Sequence, residues 1–260
     1  MSKLISIIIP TFNRSERLSN LLALIVSEDI INELNIVVVD DFSTEFHRKA
    51  LEKLKTKYPN VIFEFNKMNR GACYSRNVGI KKANSDWYWF FDDDDLIDAV
   101  SINKVITRIK SSELEKLIFL SSINIGSSYS EKIIPNGKAI DKQFYNTGHE
   151  VNTSCVLFSK ELLGIIQCWD ESLVAGQDTD IFLRASMQVK NATVFENVFV
   201  SFINHEGERI TKNPWKQMKG KIQFIKKHHK NISCKRLFYY VITTVFFVPY
   251  LKKIFCRFLK

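Results

Sequence analysis

The sequence is poor in proline and glycine, with five and nine residues among 260. Collagen-like and low-complexity disordered chains need far more of both, so these classes are excluded. Hydrophobic residues make up 45% of the chain, a share typical of globular proteins. A chain of this length can bury a substantial core, as one large domain or two small ones.

Cysteine is also scarce, and its spacing lacks the pairs that metal sites and disulfide frameworks use. The five cysteines lie far apart, without a CxxC motif, at positions 73, 155, 168, 234 and 256. This pattern argues against a zinc site and against a disulfide-stapled secreted fold. Residues 1–10 contain a short apolar run without the longer apolar region and cleavage site of a signal peptide, so they predict a strand. The expected location is the reducing cytoplasm.

Acidic residues are almost missing from the end of the chain. Residues 204–260 contain 14 Lys and Arg against two Glu, a net charge of +12. Because the whole chain has a net charge of +9, the first 203 residues have a net charge of −3. The basic character of the protein therefore belongs to its C-terminal tail.

The tail also carries two apolar patterns. Between residues 215 and 225 apolar side chains recur at helical spacing, which predicts a helix whose apolar stripe can dock on the domain. Residues 237–251 contain no charge, lie between basic pairs and include Pro249; they are shorter than the roughly 20 residues of a spanning helix. Such a segment favours binding to an anionic membrane surface. A helix buried against the domain is the alternative.

The most informative stretch is an aromatic run that ends in carboxylates. Residues 87–91 read Trp-Tyr-Trp-Phe-Phe, which predicts a buried strand, and residues 92–95 are four consecutive Asp. Adjacent carboxylates repel one another and are costly to bury unpaired, so the cluster is expected at the strand end, facing a cation. Mg²⁺ or Mn²⁺ is the natural partner for oxygen ligands. Alternatively, the cluster is a solvated loop or caps a helix predicted over residues 96–110.

Strands and helices alternate four times within the first 95 residues. Strands are predicted over residues 4–9, 35–39, 61–65 and 87–91, with helices between them. This order is typical of a parallel sheet built from βαβ units, which binds ligands at the carboxyl ends of its strands. Polar residues follow three of these strands at 10–13, 40–41 and 92–95, so we expect them to meet in one cleft. Beyond residue 110 the pattern weakens, and residues 126–148 are predicted to be irregular.

Three of the polar positions also have ordinary structural explanations. Asp40 and Asp41 could close a turn after their strand, and Asp178 or Thr179 could be the N-cap of the following helix. His205, which follows a predicted strand, could be a structural or solvated residue.

Taken together, these residues resemble the family 2 glycosyltransferases, which have the A-type glycosyltransferase fold: a Rossmann-like, mostly parallel sheet flanked by helices. The matching stretches occur in the family's order at residues 6–14, 37–44, 69–79, 90–95 and 176–180. The resemblance covers most of residues 4–207. It implies transfer of a sugar from a nucleoside-diphosphate donor to an acceptor hydroxyl, with inversion at the anomeric carbon.

The resemblance also implies roles for residues that would bind the donor. Pro10 and Phe12 match positions that pack beside the nucleobase, and Asp40 matches the residue that hydrogen-bonds it. Arg76 resembles the basic residue near the nucleotide.

Further residues match the metal and catalytic positions of the family. Asp92 and Asp94 match the DxD pattern that holds the divalent cation, Mn²⁺ or Mg²⁺, and Asp92 and Asp93 are assigned to the donor as well. His205 resembles a late histidine that approaches the metal or the diphosphate, and Asp178 falls where the family places its general base. A metal held by carboxylates would stabilise the leaving diphosphate, while a base removes the acceptor proton.

Two positions depart from the family pattern. Gln177 stands where family members often have Glu, so a carboxylate beside Asp178 is lost. Phe42 replaces the usual Gly of the Asp-Asp-Gly-Ser-Thr motif. Because Phe adopts a positive φ less readily than Gly, this turn is expected to differ.

These observations predict a catalytic domain over residues 1–207, with a nucleotide-sugar half (1–110) and an acceptor half (111–207), followed by a basic helical tail (208–260). The expected function is synthesis of a surface polysaccharide on a glycan or lipid-linked glycan, at the inner face of the cell membrane. Two alternatives are a non-catalytic nucleotide-sugar binder, in which Gln177 marks a decayed site, and a nucleic-acid-binding protein. The uncharged residues 237–251 speak against nucleic acid, because a nucleic-acid groove distributes basic residues throughout.

Overall fold

The computed structural model describes residues 2–27, 30, 32–126, 130–141, 151–203 and 214–245. Within these residues the chain forms one sheet of nine strands with helices packed against it. The strands are β1 (Lys3–Thr11), β2 (Leu34–Asp40), β3 (Ile62–Phe65), β4 (Ser85–Phe90), β5 (Asp95–Leu96), β6 (Leu117–Ile125), β7 (Ser130–Ile133), β8 (Val156–Ser159) and β9 (Thr193–Ile203). The helices are α1 (Ser15–Ile25), α2 (Glu45–Lys57), α3 (Ala72–Lys82), α4 (Ala99–Ser111), α5 (Lys160–Ile166), α6 (Gln177–Ser186), α7 (Pro214–His228) and α8 (Cys234–Val245).

The first half of the sheet is parallel, as the alternation of strands and helices predicts. Strands β3, β2, β1 and β4 lie side by side in this order, and every pair among them is parallel. The centres of β1 and β2 are β-branched, apolar and buried, as expected for strands covered on both faces. Helix α3 lies very close to β1 at Gly79, where a Cβ would come within 2.4 Å of Ile8 Cγ2.

The second half of the sheet is mixed. Strand β8 runs antiparallel to both β4 and β6, whereas β6 and β9 are parallel. The sheet order is β3-β2-β1-β4-β8-β6-β9-β5, with β7 paired to β6. The parallel arrangement therefore holds on the side where the polar clusters lie, and β8 starts the mixed part beside β4.

Two local predictions are corrected by the structure. The stretch predicted to be irregular contains β7, an edge strand whose mostly exposed residues carry no apolar alternation from which to predict it. The helix predicted from residue 96 begins at Ala99, because Asp98 is its N-cap and accepts a hydrogen bond from Ser101 N at 2.6 Å. The carboxylates at 92–95 are therefore not the helix cap, which removes the capping explanation for the cluster.

The aromatic run forms the centre of the core, as predicted. Trp89, Phe90 and Phe91 are among the largest fully buried side chains. The indole nitrogen of Trp89 donates to the carbonyl oxygen of Ser154 at 2.8 Å, which ties β4 to the start of β8. Because this strand is buried, the four carboxylates that follow it lie directly at the edge of the sheet.

The C-terminal helices pack against the domain with only part of their surface. Phe224 of α7 is buried, and Leu237 and Tyr240 of α8 pack against the core. On α8, Phe238 and Val241 are exposed. Among the helices that the structure describes, none combines the length and apolarity needed to span a bilayer. Residues 246–251 of the uncharged segment lie outside the described residues, as does the predicted boundary at 207.

The contact between α6 and α7 contains a buried charged cluster. Asp180 is fully buried, and its carboxylate lies 2.5 Å from Arg184 Nη2, 2.7 Å from Lys227 Nζ and 2.7 Å from His228 Nε2. Burial alone would raise the pKa of Asp180, but the hydrogen bonds from His228 and Arg184 hold it well below its usual range. The charged form of Asp180 is therefore part of the folded state.

We expect Asp180→Asn to lower the free energy of unfolding by about 3 kcal/mol at pH 7, because it removes the buried carboxylate that pairs with Arg184 and Lys227. Because the pKa of Asp180 is lowered on folding, its contribution is complete above about pH 4 and is lost as the pH falls through the folded-state pKa. Urea unfolding at pH 7 and pH 3 measures both effects. Glu45→Gln, which breaks the exposed i,i+4 pair with Lys49, is the control and should cost under about 0.5 kcal/mol. Equal losses in the two variants at pH 7 would contradict the prediction.

Candidate active site

The three polar clusters predicted to share one edge of the sheet do meet there. The last residue of β1, Thr11, lies opposite Asp40, the last residue of β2. Asp41 N donates to Thr11 O at 2.9 Å, and Thr11 Oγ1 donates to Asp93 Oδ2 at 2.7 Å. Direct hydrogen bonds thus connect the ends of β1 and β2 with the carboxylates that follow β4.

The four carboxylates alternate between an exposed and a buried position. The side chains of Asp92 and Asp94 are 39% and 23% exposed, whereas that of Asp93 is 3% exposed. Asp95 is also buried and belongs to β5. Asp95 N donates to Asp92 O at 3.2 Å, so residues 92–95 form a turn, and the alternation arises within this turn. It leaves Asp92 and Asp94 as the two carboxylates that a ligand in the cleft can reach.

The two buried carboxylates have partners within the protein. Asp93 accepts hydrogen bonds from Thr11 and from Arg14 Nη1, the latter at 2.9 Å. Asp95 accepts one from Ser154 Oγ at 2.5 Å. The Ser154 hydroxyl oxygen in turn accepts a hydrogen bond from the backbone N–H of Asp92. Burial raises the pKa of Asp93 to about 6 and that of Asp95 well above its usual value. These two residues are held by partners within the protein, and the contact of Asp93 with the donor remains a prediction.

Three arginines offset part of the negative charge. Arg14 Nη1 lies 3.3 Å from Asp94 Oδ2, and Arg17 Nη1 lies 3.4 Å from the same oxygen. Arg76 Nη2 lies 2.6 Å from Asp92 Oδ1, and its guanidinium sits 4.4 Å from the centroid of the Trp169 ring. Because Arg76 is buried, the ion pair and the cation–π contact hold its charge directly behind the exposed Asp92.

The donor set suits a hard divalent cation that is shared with a substrate. Asp92 and Asp94 offer carboxylate oxygens, the ligands that Mg²⁺ and Mn²⁺ prefer. No group of three or more His, Cys, Asp or Glu in the described part of the chain is placed to hold a metal by itself. Mg²⁺ commonly binds through one or two carboxylates together with substrate phosphates, and this arrangement fits that pattern. The predicted ligand His205 lies outside the described residues.

Asp40 closes the turn after β2, as its alternative explanation predicts, whereas Asp41 bonds to the loop before α3. Both carboxylate oxygens of Asp40 accept from Ser43 N at 3.2 Å, and Asp41 accepts from the backbone N–H groups of Arg70 and Gly71. Both acids are buried. Any contact of Asp40 with a nucleobase must therefore use a carboxylate that already serves this turn, and that contact remains a prediction.

Exposed aromatic residues flank this turn. Phe12, which follows β1, is 45% exposed, and Pro10, near the end of β1, is half-buried. Asn13 N donates to Ser43 Oγ at 2.8 Å, so the loops after β1 and β2 are hydrogen-bonded to each other. Phe42 has φ of 70° and is 49% exposed. The turn that was expected to differ therefore keeps the left-handed conformation that glycine favours, with a phenylalanine in it.

We expect Phe42→Gly to raise the free energy of unfolding by about 0.5 to 1 kcal/mol. A left-handed backbone costs an L-residue roughly 1–2 kcal/mol, and the substitution removes this cost. Part of the gain is offset because glycine has more conformational freedom in the unfolded chain. Phe46→Gly is the matched control, because Phe46 is exposed but lies in α2, where glycine is unfavourable. Thermal unfolding should move in opposite directions in the two variants. A less stable Phe42→Gly would show that ring contacts outweigh the backbone strain.

Asp178 lies in the first turn of α6. The cap position is Gly176, with φ of 74°, so neither Asp178 nor Thr179 is the N-cap. Asp178 is half-buried, and its Oδ1 accepts from Thr179 N at 2.7 Å. The neighbouring Gln177 donates from its side chain to Leu173 O at 2.8 Å, so the residue that replaces the family's usual Glu stabilises the loop before α6.

The loop that precedes α6 is tied to the donor side of the site. Asn77 Nδ2 donates to Trp169 O at 2.9 Å, and Trp169 N donates to Asn77 Oδ1 at 3.1 Å. Asn77 follows Arg76 on α3, and Trp169 carries the ring that covers the Arg76 guanidinium. One pair of adjacent residues on α3 thus contacts both the acid cluster and the segment that leads to Asp178.

Sequence reasoning missed five residues of the site: Thr11, Arg14, Arg17, Ser154 and Trp169. Thr11 and Arg14 lie within the first matching stretch, residues 6–14. They could have been predicted because this stretch includes the end of a strand. Ser154 and Trp169 meet the cluster only through contacts distant in sequence, and no local pattern identifies them.

Comparisons with known proteins give the chain its family. The family model described as Glycosyl transferase family 2 matches residues 6–164. A protein of Escherichia coli K12 named for colanic acid biosynthesis, the glycosyl transferase WcaA, is 28% identical over 234 residues, which cover 86% of this chain and 81% of that protein.

Solved structures show the same fold. Residues 1–349 of Staphylococcus aureus TarS, solved with UDP-GlcNAc, match with a TM-score of 0.66 at 18% identity, over 85% of this chain and 66% of that one. The mannosyltransferase PcManGT of Pyrobaculum calidifontis, solved with GDP-Man and Mn²⁺, matches with a TM-score of 0.62 at 14% identity, over 94% of this chain and 70% of that one. The chain has the A-type glycosyltransferase fold and belongs to glycosyl transferase family 2.

Proposed function

We propose that this protein is an inverting glycosyltransferase that moves a sugar from a nucleoside-diphosphate donor to a hydroxyl group of an acceptor glycan. The observation that carries the proposal is the alternation in the acid cluster. Asp92 and Asp94 face the cleft, while Asp93 and Asp95 are buried on partners within the protein. A cluster that served only folding would have no reason to leave two of its carboxylates exposed at the ligand-binding edge of a sheet.

The donor would lie along this edge. Pro10, Phe12 and Asp40 would receive the nucleobase, and Arg76 would lie near the diphosphate. Asp92 and Asp94 would hold a divalent cation, which supplies Lewis-acid stabilisation of the leaving diphosphate when bound. The relatives support this arrangement, because the S. aureus structure contains UDP-GlcNAc and the P. calidifontis structure contains GDP-Man with Mn²⁺. We keep His205 in the proposal as a third ligand to the cation.

The acceptor would be activated by Asp178. Its carboxylate takes the proton of the acceptor hydroxyl while that oxygen forms a bond to the anomeric carbon. The bond between the anomeric carbon and the diphosphate oxygen breaks, and the diphosphate leaves with the electron pair. Attack from the face opposite the leaving group inverts the anomeric configuration, so a single base is sufficient.

The acceptor would be a surface polysaccharide precursor, either a glycan or a lipid-linked glycan. The E. coli relative is named for the synthesis of colanic acid, a cell-surface polysaccharide. A lipid-linked acceptor would bring the enzyme to the inner face of the membrane, and the exposed apolar side chains of α8 lie in the basic tail, as such a peripheral contact requires.

We expect the protein to sediment with vesicles that contain anionic lipid, and Phe238→Ser to reduce the bound fraction. Phe238 is 61% exposed on α8, so it can enter the lipid interface without unfolding the helix. Ile165→Ser, at an exposed apolar position of α5, is the control and should sediment like the wild type. Equal sedimentation of both variants would remove the membrane contact of α8 and leave the transferase proposal unaffected.

The transferase itself is tested by incubating the purified protein with a panel of nucleotide sugars, in Mn²⁺, in Mg²⁺ and in EDTA. Release of a nucleoside diphosphate from one donor, dependent on metal and increased by a glycan acceptor, is the expected result. Binding of a donor without turnover across a broad acceptor panel would favour a non-catalytic nucleotide-sugar binder. If no nucleotide sugar binds in any of the three conditions, the proposal is wrong.

A further inference from the structure

Helix α7 lies within the basic tail, yet its packed face contacts one short segment of the domain. A Cβ on Gly220 would come within 2.7 Å of both Cβ and the carbonyl oxygen of Ala175. The helix and this loop therefore pack backbone to backbone, and only glycine allows the approach. Phe224, one turn further along α7, is buried.

Hydrogen bonds fix the same helix to the same loop. Gln223 Oε1 accepts from Val174 N at 3.1 Å, and Gln223 Nε2 donates to Ser172 O at 2.9 Å. One side chain thus satisfies a donor and an acceptor of the loop backbone. Because both bonds go to main-chain atoms, they fix the path of the loop whatever its side chains are.

Charged groups of α7 also contact residues that precede and follow the candidate base in the sequence. Lys227 Nζ lies 2.5 Å from Asp170 Oδ2 and 2.7 Å from Asp180 Oδ1. His228 Nε2 lies 2.7 Å from the same oxygen of Asp180. The contacts of α7 therefore reach from residue 170 to residue 180, and Asp178 lies between them.

We propose that α7 is a brace for the general base, and that Gly220 and Gln223 are positioning residues for Asp178. The proposal rests on the proposed function, in which Asp178 takes the acceptor proton. The backbone of residues 170–176 enters α6 directly before Asp178, so a shift of this loop moves the carboxylate. Displacement of a catalytic group by about 1 Å can lower a rate by up to about 100-fold. Part of the C-terminal tail is then a component of the catalytic unit, separate from any contact it makes with a membrane.

The test uses the full chain with Gly220→Ala, which places a methyl group against the Ala175 carbonyl. Gln223→Ala is the second variant; it removes both hydrogen bonds without introducing an overlap, and it serves if Gly220→Ala does not fold. Gly164→Ala is the matched control, because Gly164 is also helical but a Cβ there meets nothing within 4 Å. Three quantities are measured: kcat for transfer to the acceptor, KM and Kd for the donor, and amide hydrogen exchange of residues 170–180.

The expected result is a fall in kcat of about 10-fold in Gly220→Ala and Gln223→Ala, with donor KM and Kd unchanged and faster exchange confined to residues 170–180. Gly164→Ala should match the wild type in all three measurements. A purely structural contact would lower thermal stability and leave kcat of the folded enzyme intact. If exchange accelerates while kcat stays at the wild-type value, this inference is overturned and the proposed function stands. If the wild type transfers no sugar, the proposed function falls, and this inference falls with it.

Discussion

Asp178→Asn is expected to lower kcat for sugar transfer by about 10²- to 10⁴-fold, the range that removal of a general base usually costs. The amide cannot accept the proton of the acceptor hydroxyl, but it preserves the size of the side chain and its place in the first turn of α6. Donor affinity should stay at the wild-type value, because the donor would bind beside Asp92 and Asp94. Kinetics with a saturating acceptor, together with donor titration calorimetry, separate the two effects.

The control is a carboxylate in the same kind of position. Glu161 lies in the first turn of α5, where the helix dipole acts on it as it does on Asp178, and it forms an exposed ion pair with Lys116. Glu161→Gln should transfer sugar at the wild-type rate. An Asp178→Asn variant that keeps its kcat would show that another group takes the proton, and the assignment of the base would have to move. A loss of donor affinity would place Asp178 in the donor site instead.

The donor half of the fold could be predicted from sequence because its signals are local. Residues 87–91 are apolar and aromatic throughout, and four acidic residues follow directly, so the buried strand, its end and the exposed carboxylates follow from neighbouring residues alone. The sequence did not indicate which of the four carboxylates face the cleft. That division depends on Thr11, Arg14 and Ser154, and the last of these lies in a short helical turn before β8, far along the chain.

The acceptor half was predicted less completely, for the same physical reason. Asp178 was located from its motif, but the loop before it is held by Asn77 from α3 and by Gln223 from α7. Such contacts link residues about 50 to 100 positions apart, and neither periodicity nor capping signals report on them. The apolar spacing of residues 215–225 predicted a helix with a packed face, but it could not show which segment that face covers.

Replacement of either exposed carboxylate is the second change expected to have a large effect. Asp92→Asn and Asp94→Asn should each lower kcat/KM by about 10²- to 10³-fold, comparable to removal of one group that stabilises developing charge. Each variant should also require a higher Mn²⁺ concentration for half-maximal activity, because a neutral amide is a weaker ligand for a hard cation. Initial rates over a range of Mn²⁺ concentrations measure both quantities, and titration of Mn²⁺ with the nucleoside diphosphate measures the binding step independently of turnover.

Asp93→Asn tests whether the cation depends on the two exposed carboxylates specifically or on the total acidic charge of the cluster. Asp93 is buried and bonded to Thr11 and Arg14, so its replacement should leave the Mn²⁺ concentration for half-maximal activity the same. If Asp93→Asn shifts the metal requirement as much as Asp94→Asn does, the buried carboxylate is itself a ligand, and the division of roles between the two exposed and the two buried residues is wrong. If none of the three variants shifts it, the cation is held elsewhere, and the acid cluster acts through Arg14 and Arg76 alone.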